Sequence, residues 1–157
     1  MDFTDEQFDT VKQSAEELYK ILGEVYCPYL KEKVSFNAQG LEHLSFKKRN
    51  VMRPIRDQFM RFKLFHFAPQ ILTLSHTLQG VSRRMNFEWM RINSRNECVL
   101  KPVLYYEFIA VLEEKRMRIV VKQIEASQKL FWSIIPFWTR GKLMDTRTLS
   151  YGDPELD

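Results

Sequence analysis

The chain has 157 residues, 45% of them hydrophobic and 13% aromatic, enough for one packed domain and too few for two of comfortable size. Five glycines and six prolines exclude a collagenous or low-complexity chain, and no apolar run reaches the roughly 20 residues of a membrane-spanning helix. The net charge of +4 is polarised: Asp2, Asp5, Glu6, Asp9, Glu16, Glu17 and Glu24 crowd the first 25 residues, whereas Asp57 is the only acid from Phe46 to Arg84.

Thr4-Asp5-Glu6-Gln7 has the form of a capping box, with Phe3 and Phe8 placed as its hydrophobic staple. Phe8, Val11, Ala15, Leu18 and Leu22 recur at helical spacing, so the pattern predicts a long amphipathic helix ending near Gly23. Residues 1–25 thus form an acidic helix, 26–140 an α+β domain, and 141–157 a tail. Lys33-Val34-Ser35-Phe36 reads as a small strand, and Gly40 as a turn before a short helical or irregular piece holding His43. Pro54 suits the first turn of a second helix, with Ile55, Phe59 and Phe62 as its apolar stripe and Arg53, Arg56 and Lys63 off that stripe. Ala68-Pro69 opens a further helix through Ile71, Leu72 and Leu78 that Gly80 stops.

Beyond Gly80 the hydrophobic period falls to 2, the strand spacing. Met85, Phe87 and Trp89 alternate with polar residues, and Val103–Leu112 is dense in apolar types. Met117, Ile119 and Val121 alternate with Arg118 and Lys122, and Leu130 to Phe137 closes the set. Short connections around Glu113-Glu114-Lys115 and Ala126-Ser127-Gln128 predict antiparallel hairpins. The expected fold is α+β: N-terminal helices, then a four-stranded antiparallel β-meander. A turn centred on Ser127 pairs Lys122 with Trp132. A three-residue turn before it sets Tyr106 beside Lys122, and a two-residue turn sets Glu107 there. Ile119, Val121, Phe131 and Ile135 then face the helices. Pro154 and its acidic neighbours predict a frayed C-terminus, and Cys27 and Cys98 two buried free thiols.

His43 precedes a cationic stretch of Lys47, Lys48, Arg49, Arg53, Arg56, Arg61 and Lys63. An imidazole titrating near neutrality beside fixed positive charge is what cleavage of a phosphodiester without a metal requires. A patch that only holds phosphate needs the charges alone. The competing readings are structural: His43 tethers a loop, Arg61 pairs with Glu42 or Asp57, Ser133 and Trp132 pack, and Lys122 faces solvent. His66 and His76 read as helix-end or surface residues, with no metal spacing. The opposite charge of the first helix raises a further expectation, that it lies against the basic groove and limits access.

Several blocks resemble the phage-type barnase–EndoU–colicin–RelE-like nucleases: Val34 to Lys47, Phe59-Met60-Arg61-Phe62, Ala68-Pro69, Ser75 to Gly80, Val121-Lys122-Gln123-Ile124, and Phe131 to Pro136. The resemblance implies helices preceding a four-stranded antiparallel sheet, a metal-independent ribonuclease activity and a toxin role. His43, Arg61, Lys122 and Ser133 fall in the matching blocks. They are expected to act as acid or base (His43), as phosphate clamps (Arg61 and Lys122) and as the group orienting a phosphate oxygen (Ser133). Glu107 is the spare general base if the two-residue turn sets it beside Lys122. Lys47, Lys48, Arg53 and Arg56 would hold RNA, and Tyr106 or Trp132 would stack a base. No metal or cofactor is expected. RNA is the expected partner, with an antitoxin or immunity protein as another, and the cytoplasm the expected location, with delivery to another cell left open. The alternatives are a non-catalytic nucleic-acid-binding module and a protein-interaction subunit whose cationic face meets an acidic partner.

Overall fold

The computed structural model describes residues 2–136 and 153–157. The first helix, α1 (Asp5–Leu22), begins at Thr4, whose side chain accepts from the Gln7 amide while the Gln7 side chain accepts from the Thr4 amide. Its apolar face packs on the domain core, with Phe8 edge-on to Phe62, and Phe3 before it stacks on Phe59 at 4.0 Å. Two short strands follow, β1 (Glu24–Cys27) and β2 (Glu32–Ser35), then α2 (Ala38–Ser45), the small hairpin β3 (Phe46–Lys48) and β4 (Val51–Met52), α3 (Ile55–Leu64) and α4 (Phe67–Leu74). The chain then runs as a meander through β5 (Gly80–Ile92), β6 (Arg95–Leu112), β7 (Lys115–Ile124) and β8 (Leu130–Pro136). Phe137, expected to close the meander, and residues 141–152 of the tail lie outside the described residues. Among the described residues, no helix is long and apolar enough to cross a membrane.

The fold is α+β, but the sheet has six strands and not four, in the order β1-β2-β8-β7-β6-β5, and strands β1–β4 interrupt the helices expected to precede it. The two additional strands are the β1–β2 hairpin, which docks on β8 through one parallel pairing, Ser35 with Leu130. Alternation along β7 divides the sheet into two faces. Met117, Ile119 and Val121 join the helices in the main core with Phe36, Phe65, Ile71, Leu72, Phe108 and Phe131. Val120 belongs to a second, smaller cluster with Val103, Tyr105, Ile124, Leu130 and Trp132. Arg118 and Lys122, two residues either side of Val120, share that second face.

Several expectations are corrected. Gly40 is inside α2 and makes no turn; a Cβ there would sit 2.2 Å from the Phe131 carbonyl oxygen and 2.5 Å from the Tyr19 hydroxyl, so its bareness lets the helix lie on β8. Ile55 is exposed, and α4 ends at Leu74, leaving Leu78 beyond the helix. Met85, Phe87 and Trp89 are exposed because the outer half of β6 pairs with β5 alone. Cys27 is buried, but Cys98 is exposed on that same outer half. Among the described residues, α1 packs on α3 and the core, and its ion pair, Lys12 with Glu16, is internal to the helix.

Register differs as well, for a local reason. Glu113 and Glu114 both adopt positive φ (48° and 62°), giving a two-residue turn that pairs Leu112 with Lys115. Glutamate carries no signal for that conformation, so the turn sits earlier in the chain than expected, and Lys122 pairs with Tyr105. On its other side Lys122 pairs with Leu130, not Trp132. Val121 opposes Phe131 and Val120 opposes Ser133, which leaves Trp132 as the extra residue of a bulge. Ile134, not Ile135, enters the main core with Ile119.

Candidate functional site

The site is assembled on the second sheet face, beneath α2 and α3. Arg53, Asp57 and Arg61 recur every four residues, so one side of α3 and its entry carries all three. Each is almost completely buried. Asp57 holds both guanidinium groups: Arg61 Nε donates to Oδ1 at 2.5 Å, and Arg53 Nη1 to Oδ2 at 3.4 Å. Arg53 also donates to the His43 carbonyl at 2.9 Å and approaches His43 Nε2 at 2.8 Å. A guanidinium has no acceptor, so His43 Nε2 accepts and the imidazole is neutral.

His43 is placed by α2. Asn37 caps that helix, its side chain accepting from the Gly40 amide at 3.2 Å. The imidazole stacks on the Trp132 indole with centroids 4.0 Å apart. Burial, then the charges of Arg53, Arg61 and Lys122, hold its pKa well below the usual histidine value, against a hydrogen bond with the Asp157 backbone that works the other way.

The β7–β8 bulge turns Trp132 and Ser133 to the same face, where Ser133 meets Arg61 Nη1 at 2.6 Å. Lys122, 1% exposed, lies 4.0 Å from the Trp132 ring and 2.8 Å from Glu88. Tyr105 stands beside it, its hydroxyl accepting from Asn86 at 2.6 Å. Arg118 Nη1 lies 3.6 Å from Glu107.

Into this cationic pocket fits Asp153–Asp157. Arg61, Ser133 and Arg53 all donate to the Asp157 backbone oxygen, and Arg118 Nη2 donates to its side-chain Oδ2 at 2.6 Å. Arg53 donates further to the Leu156 carbonyl at 2.9 Å. Glu155 pairs with Lys122 at 2.9 Å and accepts from the Tyr105 hydroxyl, while Trp132 Nε1 donates to the Glu155 carbonyl at 3.1 Å. Asp153 accepts from Arg84 at 2.6 Å. Asp157 is fully buried, so the segment read as frayed is docked; its carboxylates match the positive charge of the pocket.

Of the expected site residues, His43, Arg53, Arg61, Lys122 and Ser133 come together. Trp132 is in the pocket but buried between His43 and Lys122, so it offers no open face to a base. Tyr106 lies on the other sheet face, at the edge of the main core, with its hydroxyl on Gln123; Tyr105 takes the position expected of it. Glu107 reaches the pocket only as a partner of Arg118. Lys48 and Arg56 are exposed, and Lys47 is half-buried on β3. Arg118, Tyr105, Glu88 and Arg84 were not anticipated. Alternation along β7 already places Arg118 on the face of Lys122, which is the signal that could have found it. His66 and His76 are exposed, as expected.

The depressed His43 pKa has a measurable consequence. A base whose folded-state pKa lies below its unfolded value supplies stability above the unfolded value, near 6.5, and loses it as pH falls towards the folded one. Wild type is therefore expected to lose up to about 1 kcal/mol per pH unit below 6.5 through this group. Glu155, whose carboxyl is raised by burial, acts in the opposite sense. Thermal denaturation of wild type and His43→Gln between pH 7.5 and 5.5 isolates the imidazole: wild type loses more stability on acidification than the variant.

Comparison with known proteins identifies no relative: no family model, curated protein or solved structure matches the chain.

Proposed function

We propose that this protein is a metal-independent endoribonuclease whose buried cationic pocket binds the phosphates of RNA. The observation that carries the reading is the convergence of Arg53, Arg61 and Ser133 on one oxygen of Asp157, with Arg118 on the neighbouring carboxylate and Lys122 on Glu155. Three guanidinium groups, an ammonium and a hydroxyl aimed at oxyanions form the kind of preorganised donor set that stabilises charge on a five-coordinate phosphorus. The sequence blocks that resemble the phage-type nucleases contribute His43, Arg61, Lys122 and Ser133 to it.

The neutral imidazole of His43 suits the role of base rather than acid. With a phosphate in place of the Asp157 oxygen, the Arg53 guanidinium turns to the phosphate and Nε2 becomes available to a 2′-hydroxyl. His43 takes that proton, the 2′-oxygen bonds to phosphorus, and the bond to the 5′-oxygen breaks. The leaving oxygen takes a proton in turn, and Tyr105 and Lys122, adjacent in the pocket, are the proposed donors. The products are a 2′,3′-cyclic phosphate and a free 5′-hydroxyl. Toxin action, with an antitoxin or immunity protein as partner, is the biological role this activity fits.

Incubation of purified protein with total RNA in excess chelator tests the reading. Fragments ending in cyclic phosphate are the expected result; intact RNA overturns it. A second reading, favoured by the acidic peptide that fills the pocket, is a non-catalytic site for an acidic protein partner. It is the one left standing if RNA stays whole.

A further inference from the structure

We infer that Asp153–Asp157 is an internal acidic ligand occupying three consecutive anion subsites of the pocket, and that a polyanion gains access by displacing it. The inference rests on the phosphate-binding reading above and adds what guards the site. The first subsite is Arg84, which holds Asp153 at 2.6 Å. Lys122 and Tyr105 form the second, around the Glu155 carboxylate. The third is the group of Arg53, Arg61, Arg118 and Ser133 around Asp157. Alternate residues of the segment thus face the three subsites in turn, while Pro154 and Leu156 between them carry no charge. Asp153 and Glu155 do so with their carboxylates, and Asp157 with its carboxylate on Arg118 and its backbone oxygen on the others.

The contacts have the character of an exchangeable ligand. Most of the side chains that grip the segment belong to the sheet or to α3 and its entry, with His43 of α2 beside them, and most have a second anchor that remains when the segment leaves. Arg53 and Arg61 keep Asp57, Lys122 keeps Glu88, Arg118 keeps Glu107, and Tyr105 keeps Asn86. The pocket is therefore held in shape by its own acids, and the segment supplies only the additional anions. Within the segment, the Leu156 and Asp157 amides both bond to the Asp153 carbonyl, forming a single compact turn that can leave as a unit.

An ssRNA-like probe that cannot be cut separates binding from chemistry. A labelled single-stranded 2′-O-methyl oligoribonucleotide would be titrated into wild type, the Glu155→Gln/Asp157→Asn variant, and a Glu113→Gln/Glu114→Gln control with the same charge change in the exposed β6–β7 turn. Removing the internal competitor is expected to tighten binding about 10-fold or more, against less than about 2-fold for the control. Equal affinities for the two variants would overturn the inference while leaving the phosphate-binding reading in place. Absence of binding by all three proteins would overturn both. Should the tail variant fail to fold, wild type alone decides the matter. Saturation with the oligonucleotide must speed hydrogen exchange at the Leu156 and Asp157 amides, and unchanged protection there refutes displacement.

Discussion

Asp57→Ala is expected to lower the stability of the protein by about 3–5 kcal/mol, a fall in Tm of roughly 6–20 °C for a domain of this size. The Asp57 carboxylate is the shared partner of two buried guanidinium groups, each of its oxygens taking one. Its removal leaves Arg53 and Arg61 charged and buried without this carboxylate. Replacing one member of a buried ionic cluster is much more damaging than its net contribution, because the desolvation of the others is no longer offset. Asp57→Asn keeps one acceptor oxygen and the side-chain volume, so it should lie between wild type and Asp57→Ala. Thermal or urea denaturation ranks the three, and a loss below about 1 kcal/mol for Asp57→Ala would show that the pocket's geometry does not depend on this carboxylate.

The same residue shows how a structural and a functional demand coincide. A pocket meant to receive phosphate must keep its cations apart from one another and pointed inwards before any anion arrives. Asp57 orients Arg53 and Arg61, Glu88 orients Lys122, and Glu107 lies against Arg118. Each cation is therefore placed by an acid of the fold and presents its remaining donors to the site.

Elements whose signals are local were legible in the sequence. The capping box of α1 needs only Thr4 and Gln7, and the alternation in β7 needs only the strand period, which correctly sent Ile119, Val121 and Phe131 to the helix side. The spacing of Asp57 and Arg61 also makes their pairing readable, and that pairing is compatible with a role for Arg61 in the site. Non-local features were not readable. The docking of β2 on β8 depends on a single parallel pairing, and the six-stranded sheet follows from it. The register of Lys122 depends on two glutamates at positive φ, a conformation their side chains do not announce.

The largest omission was Asp153–Asp157. Acidic residues around a proline at a chain end resemble an unstructured tail when read alone, and burial becomes favourable only against a pocket assembled from α3, β5, β6, β7 and β8. Its complement is visible in part as the excess of positive charge, which reads as a face for RNA, with the acidic first helix as its expected cover. The helix instead spends its apolar face on the core, and its acids remain at the surface.

Replacement of His43 has the largest expected effect on activity and bears on the central claim. Loss of a general base reduces the rate by about 10²–10⁴-fold. His43→Gln is the suitable variant, because a side-chain amide oxygen can still accept from Arg53 while having no useful basicity at neutral pH. Arg53 is also held by the His43 carbonyl and by Asp57, neither of which the substitution removes. The decisive measurement is the single-turnover rate of RNA cleavage in excess chelator, taken beside the affinity for the uncleavable 2′-O-methyl oligonucleotide, for wild type and His43→Gln. The expected result is a rate loss in that range with affinity unchanged within about 3-fold. Cleavage that persists at the wild-type rate in His43→Gln would contradict the assignment of the base and, with it, the site proposed here.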